Sequence, residues 1–301
     1  MQYSARLLSH RLHLLTFIVI CLVTVQIGQA QVQQASCKFT LFLLEPSSPS
    51  NPSFFNGTGV NDWKTVVGEA FFNFTQTPPF SKGFIHYAGG GTSYFSAPGA
   101  IRTGFHARND MGVSVGVYAD ASQANHSFIL QGSTLTPIVH PNSFPNTTLV
   151  QGINKYNTTV GTYSSVGWGG AIRGFKRYSN GKFVSFSYPG AQATEPAGIN
   201  DSGFIVGTAS GHGVIYHNGQ WATLDYPGGS GTRLLGISNA GVIVGVGSPP
   251  IGPLVNFMYA NGTFKLITIP NSSLTQVWGI SAGGIITGTV DFNQGFTAIC
   301  Q

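Results

Sequence analysis

"GINDSGFIVGTASG", residues 198–211, is the phrase this chain keeps rewriting. Variants read "GVNDWKTVVGEA" from Gly59, "ARNDMGVSVGVY" from Ala107, "GINKYNTTVGTY" from Gly152, "GISNAGVIVGVG" from Gly236 and "GISAGGIITGTV" from Gly279. A recurring phrase is either a duplicated catalytic loop or one beat of a repeat architecture, and the flanking residues decide for the second. Ahead of the copies lie apolar runs ending in Pro46, Pro98, Pro141, Pro189, Pro227 and Pro270. Three residues before each proline stands an apolar side chain: Leu43, Phe95, Ile138, Phe186, Leu224 or Ile267. Alternation stopped by proline reads as a strand with one buried face. Behind each copy another short strand begins, as in "GFIHY", "SFIL", "GFKRY", "GVIY", "NFMY" and "GFTAI". The turn that follows is "SNG" (179–181), "HNG" (217–219) or "ANG" (260–262). Asn and Gly tolerate the positive φ that tight hairpins require.

The unit is thus four short strands. The glycines that close its second half (Gly68, Gly116, Gly161, Gly207, Gly245 and Gly288) are spaced as propeller blades are, at about 40 residues. Six such units predict an all-β, six-bladed propeller over residues 31–301, since closing a ring removes the exposed edges of an open stack. A parallel solenoid is the alternative, but its coils are shorter and lack Asn-Gly hairpins. The chain's first strand, "CKFTLFLLEP", has no partner ahead of it, and its last, "GFTAIC", has none behind. Laid on "GFKRYSNGKFVSFSYP", Cys300 falls on Ser179 and Cys37 on Gly181, on either side of a missing hairpin turn. A Cys37–Cys300 disulfide is expected there, stapling N- and C-terminal strands into one blade.

Residues 1–30 read as a signal peptide. Arg6 and Arg11 precede the apolar run "LLTFIVICLVTV" (14–25), and "IGQA" supplies small residues for cleavage after Ala30. An uncleaved anchor is the alternative, and no later segment is apolar enough to span a membrane. The expected location is secreted, periplasmic or on the cell surface. Charged residues make up only 8% of the sequence and the formal net charge is +5 with no basic run, so nucleic acid is not expected as a partner.

Chemistry-bearing motifs dissolve into the repeat. "GISAG" (279–283) matches a nucleophile elbow, but Ser281 stands in the column of Asn61, Asn109, Asn154 and Asn200, and no histidine follows it. Asp62, Asp110 and Asp201 resemble a glycosidase carboxylate set, yet each sits in an Asn-Asp turn, and the turns are expected to stand apart in different blades. "GGG" (89–91) and "GGSG" (228–231) lack the lysine of a phosphate loop. His106, His126, His140, His212 and His217 are scattered, so neither a metal nor a cofactor is expected. Several Asn-x-Ser/Thr triplets occur, among them Asn56 and Asn146, and act as acceptors only in a eukaryotic host.

Broken columns are more informative. Arg108 stands where other copies have Val60, Ile153, Ile199, Ile237 or Ile280, and Glu69 where others have Val117, Thr162, Thr208, Val246 or Thr289. A buried lone charge is costly, so each needs a partner, water or a ligand. The bland reading is an inter-blade salt bridge or a solvated strand end. The sharper one is a polar, ligand-binding pocket formed by Arg108, Glu69, His106 and Arg102. Trp168, Trp278 and Tyr163 are candidates to present flat faces to a sugar or peptide, or else pack between blades. The longest inserts are 47–57, 69–82, 163–173 and 247–255.

The recurring Gly-Ile-Asn-x-x-Gly-x-(Ile/Val)-Val-Gly, followed by a Phe-containing strand, resembles the HAF-repeat family of bacterial extracellular proteins across residues 37–300. In the slot of the family's His-Ala-Phe triplet this chain reads Gly-Phe, Ser-Phe, Gly-Val or Asn-Phe. The resemblance implies export and a repeat fold, and brings no chemistry with it. The expected role is a monomeric binding or scaffold module whose partner is a carbohydrate or another surface protein. The competing class is a propeller enzyme: a polysaccharide hydrolase or lyase, or a lactonase.

Overall fold

A computed structural model describes residues 32–44, 54–72, 80–167, 169–291 and 293–301. The expected leader and Trp168 lie outside them. The chain is a six-bladed β-propeller. Blades 1 to 5 are residues 54–95, 100–138, 149–186, 194–223 and 231–266, each four antiparallel strands in sequence order. Blade 6 is residues 275–300 with Cys37–Phe42 added as its outermost strand.

The strand bearing the Gly-Ile-Asn phrase is innermost in every blade: Phe54–Val60, Ala100–Arg108, Leu149–Ile153, Thr194–Ile199, Gly231–Ile237 and Thr275–Ile280. Each touches the inner strand of the next blade, and the sixth touches the first. Crowding at the axis explains the leading glycine. A Cβ on Gly59 would stand 2.8 Å from the Ala107 Cα, one on Gly198 2.9 Å from the Gly236 Cα, and one on Gly279 2.8 Å from the Thr58 carbonyl oxygen. The closing glycine of the phrase answers a second crowding. A Cβ there would enter a carbonyl oxygen of the inner strand: that of Asn56 for Gly68, of Leu149 for Gly161 and of Gln276 for Gly288. Over these glycines lies the aromatic of the third strand, and Phe84, Phe128, Phe175, Phe257 and Phe296 are all fully buried.

The asparagine of the phrase stitches the blades together. In Asn61, Asn109, Asn154 and Asn200 the side-chain oxygen accepts the backbone N–H four residues on. The amide nitrogen donates to a carbonyl in the next blade's turn, at Asn109, Asn154, Asn200 and Ser238 respectively. Blades 5 and 6 carry Ser238 and Ser281, which keep the local bond alone. There the ring is completed by Asn239 N–H donating to the Ala282 carbonyl and Gly283 N–H to the Asp62 carboxylate.

At five of the proline links a threonine ties the link to the start of the next blade. The hydroxyls of Thr103, Thr148, Thr194, Thr232 and Thr275 accept the N–H of Ala97, His140, Tyr188, Tyr226 and Ile269, the residues just before the prolines.

Closure is as the cysteine positions imply. Cys37 lies directly opposite Cys300 in the ladder, and the two are disulfide-bonded across a sequence separation of 263 residues. Upstream, Val32–Gln34 runs parallel to Thr263–Leu266 on the outer edge of blade 5. One expectation fails here. Leu43 is exposed, and Phe42 faces Gly295 in the slot that Phe186 fills opposite Gly174. An extra residue between Phe42 and Pro46 shifts the column when it is counted back from the proline.

Candidate ligand-binding site

The six inner strands enclose a cavity of about 440 Å³ along the ring axis. Each inner strand carries a β-bulge just before the phrase, which turns one extra residue toward the axis. In chain order these residues are Thr58, His106, Gln151, Ala197, Leu235 and Trp278, and all line the cavity. The waist is therefore polar over blades 1 to 3 and apolar over blades 4 to 6.

His106 is the titratable member. Its Nδ1 lies 2.6 Å from the Val150 carbonyl oxygen, which can only accept, so Nδ1 carries the proton. In the neutral ring Nε2 is then a bare acceptor with no partner among the described residues. Burial lowers the His106 pKa, partly offset by the Val150 bond and the Glu69 charge.

One mouth of the cavity is formed by the Asn turns. Equivalent turns do not stand apart, as expected from the sequence, because they end the innermost strands. The Asp62 N–H donates to the Asp110 carboxylate at 2.7 Å, the Lys155 N–H to Asp201 at 3.0 Å, and the Asp201 N–H to Asn239 at 3.0 Å. Burial, and then the Asp62 and Asp201 charges, raise the Asp110 pKa against the bond from the Asp62 N–H. Lys155 Nζ reaches Asp201 at 3.5 Å, which raises the lysine pKa.

The residue two positions after the Asn or Ser of each turn projects from this mouth. In blades 1 to 3 it is Trp63, Met111 or Tyr156, exposed by 70%, 74% and 59%. In blades 4 to 6 it is Ser202, Ala240 or Gly283. Trp63 Nε1 donates to the Asp110 carbonyl at 3.3 Å, laying the indole across the boundary to blade 2. Lys155 Nζ sits 5.1 Å from the Tyr156 ring centre. Sequence reading passed over this arc, although the signal was there: three bulky residues in a turn column otherwise filled by Ser, Ala and Gly.

The four residues expected to form a polar pocket do not all converge. Glu69 meets Arg102 at 3.3 Å, across blades 1 and 2, and accepts the Ser81 hydroxyl. His106 feels the Glu69 charge from the cavity side. Arg108 lines the cavity with His106 but does not meet Glu69: its Nη1 donates to Ser114 Oγ at 2.8 Å, and Tyr87 is an electrostatic neighbour. The inter-blade salt bridge is real, but its cation is Arg102.

Tyr163 is buried and stacks on His140 at 3.6 Å, with its hydroxyl donating to Ser185, so it is packing and not a platform. Trp278 lines the cavity and donates Nε1–H to Thr289 at 3.1 Å. His126 pairs with Asp120 and His212 with Asp225, in separate blades. Among the described residues no group of three His, Cys, Asp or Glu side chains is placed to hold a metal ion, and no helix is long and apolar enough to cross a membrane.

No protein-family model and no curated protein matches the chain. Solved propellers do. A catalytically inactive variant of virginiamycin B lyase from Staphylococcus aureus, solved with quinupristin, has a TM-score of 0.51 at 12% identity, covering 87% of this chain and 99% of that one. TolB from Acinetobacter baumannii has a TM-score of 0.52 at 13% identity, covering 79% of this chain and 64% of that one. At such identities the likeness is one of fold, and function must be read from the site.

Proposed function

We propose that this chain is an exported binding module of the HAF-repeat type that holds a saccharide at the turn-side mouth of its ring. The observation that carries this is the arc of Trp63, Met111 and Tyr156, three large exposed side chains on adjacent turns of a rigid rim. Flat exposed rings offer stacking faces for a sugar, and Asp62, Lys155 and Asp201 beside them offer acceptors and donors for its hydroxyls. A rigid ring bearing its contacts on turns is an arrangement that suits recognition. The disulfide suits an oxidising compartment.

The test is isothermal titration of the oxidised protein against a panel of neutral and acidic oligosaccharides, repeated with Trp63→Ala and Tyr156→Ala. Each truncation is expected to weaken binding about 30-fold, as loss of an aromatic anchor worth ~2 kcal/mol does. Affinity unchanged in both variants overturns the reading. The competing reading, a propeller enzyme, draws its support from His106, whose bare Nε2 lines a cavity large enough for a small substrate. Turnover abolished by His106→Gln, with saccharide affinity intact, would favour it.

A further inference from the structure

Blade 2 replaces one pair of core residues with a pair that can hold an anion. Where the inner strand meets the second strand, the facing residues are Val60–Val66, Ile153–Thr159, Ile199–Ile205, Ile237–Ile243 and Ile280–Ile286 in the other five blades. In blade 2 they are Arg108 and Ser114. Both members have become polar together, and they bond to each other: Arg108 Nη1 donates to Ser114 Oγ at 2.8 Å, and Ser114 is fully buried.

The charge is not balanced from within. Arg108 makes no ion pair among the described residues. Glu69 and Asp110 are committed elsewhere, Glu69 to Arg102 and Asp110 to the Asp62 N–H. Arg108 Nε is enclosed without an acceptor. Nη2 has no partner among the described residues and lies beside Gly112, where an added Cβ would stand 3.1 Å from it. Burial lowers the Arg108 pKa, and Tyr87, an exposed residue of blade 1, is the neighbour that opposes this. A half-buried guanidinium lacking a counter-ion is costly, and an anion that reaches it recovers that cost through charge-assisted bonds.

Its position ties it to the rim. Gly112 follows Met111 on the blade 2 turn, and Trp63 donates to the Asp110 carbonyl of that same turn. We propose that Arg108 anchors the acidic group of the ligand, a uronate carboxylate or a sulfate ester, so that the saccharide held at this mouth is an acidic one. The sugar part of this inference rests on the reading above; the anion part does not.

The test uses three probes at constant ionic strength set with NaCl: D-glucuronate, sodium sulfate and D-glucose. Thermal unfolding and titration are compared for the wild type, Arg108→Ile and Arg108→Ile/Ser114→Val, the last two restoring the pattern of the other blades. The wild type is expected to gain several degrees from glucuronate at a hundred times its Kd, and nothing from glucose. Both variants are expected to melt at or above the wild-type temperature without ligand, and to lose the glucuronate response. Should either variant fail to fold, Arg108→Lys keeps the charge without the forked geometry and is expected to bind glucuronate about tenfold more weakly.

A glucuronate response that survives Arg108→Ile, or a wild type no more stable in glucuronate than in NaCl, overturns the proposal. Neutral oligosaccharides that bind equally to wild type and Arg108→Ile would leave the saccharide reading standing and remove the anion anchor. Stabilisation by sulfate that Arg108→Ile abolishes, with no affinity for any saccharide, would keep the anchor and remove the sugar.

Discussion

Breaking the Cys37–Cys300 bridge is the sharpest perturbation of this fold, because it acts on the one blade built from both ends of the chain. The bridge closes a loop of 263 residues. The chain-entropy relation gives about 5.5 kcal/mol at 25 °C for a loop of that size, an upper figure since measured gains are often smaller. With an unfolding entropy of roughly 2.1 cal/mol/K per residue, a ring of this length should lose about 10 °C in Tm. The loss need not be global. Without the bridge, Cys37–Phe42 is held by one ladder and by three aromatic contacts: Phe39 edge-on to Phe296 at 5.6 Å, and Phe42 stacked on His86 at 4.3 Å and on Phe55 at 6.0 Å. Two phenylalanines at ~1.5–3 kcal/mol each put local detachment at about 3–6 kcal/mol, below the stability of the whole. The assay is calorimetry of Cys37→Ser/Cys300→Ser beside the oxidised wild type, with hydrogen exchange followed strand by strand. A Tm lowered by about 10 °C, with faster exchange confined at first to residues 37–42, is the expected result. A shift under about 3 °C with unchanged exchange in that strand would refute the closure argument.

Three further outcomes follow from the same geometry. Asn109 makes four side-chain bonds, two of them to blade 3, so Asn109→Ala should cost about 2–4 kcal/mol in urea melts, and Asn109→Ser clearly less, since Ser238 and Ser281 already serve in that column. Gly198→Ala forces a Cβ to within 2.9 Å of the Gly236 backbone and should cost about 1–3 kcal/mol by the same assay. Burial lowers the pKa of both His106 and His140 below the usual histidine value, so the unfolded chain takes up protons first as the pH falls below about 6.5. Stability should therefore drop on acidification from pH 7 to 5, by up to about 1.4 kcal/mol per pH unit for each histidine. His140→Asn should flatten that slope by about one proton, and an unchanged slope would exclude His140 from it.

Blade number, the closing strand and the disulfide were legible because glycine, proline and cysteine leave fixed marks at fixed spacing. The inner strand was not. What forces glycine at Gly59 or Gly198 is the backbone of a neighbouring blade, and no spacing along one chain reports that distance. The same holds for Arg102, whose pairing with Glu69 crosses a blade boundary that its sequence position does not reveal. The threonines five residues after Pro98, Pro189, Pro227 and Pro270 were readable as a column, but their hydroxyls act on the link from the preceding blade. Tyr163 looked like a platform because an aromatic in an insert reads alike whether it faces solvent or stacks on His140.

The outermost strand of blade 6 has a consequence for crowded or concentrated protein. Until Cys37–Phe42 docks, the edge of Gln294–Cys300 offers an unpaired ladder and a free thiol. The same strand from a second copy satisfies that ladder, and its cysteine meets the same thiol. Oxidation at high concentration before the ring has closed would therefore lock swapped dimers whose blades are all native. Dilute refolding ahead of oxidation would give monomers.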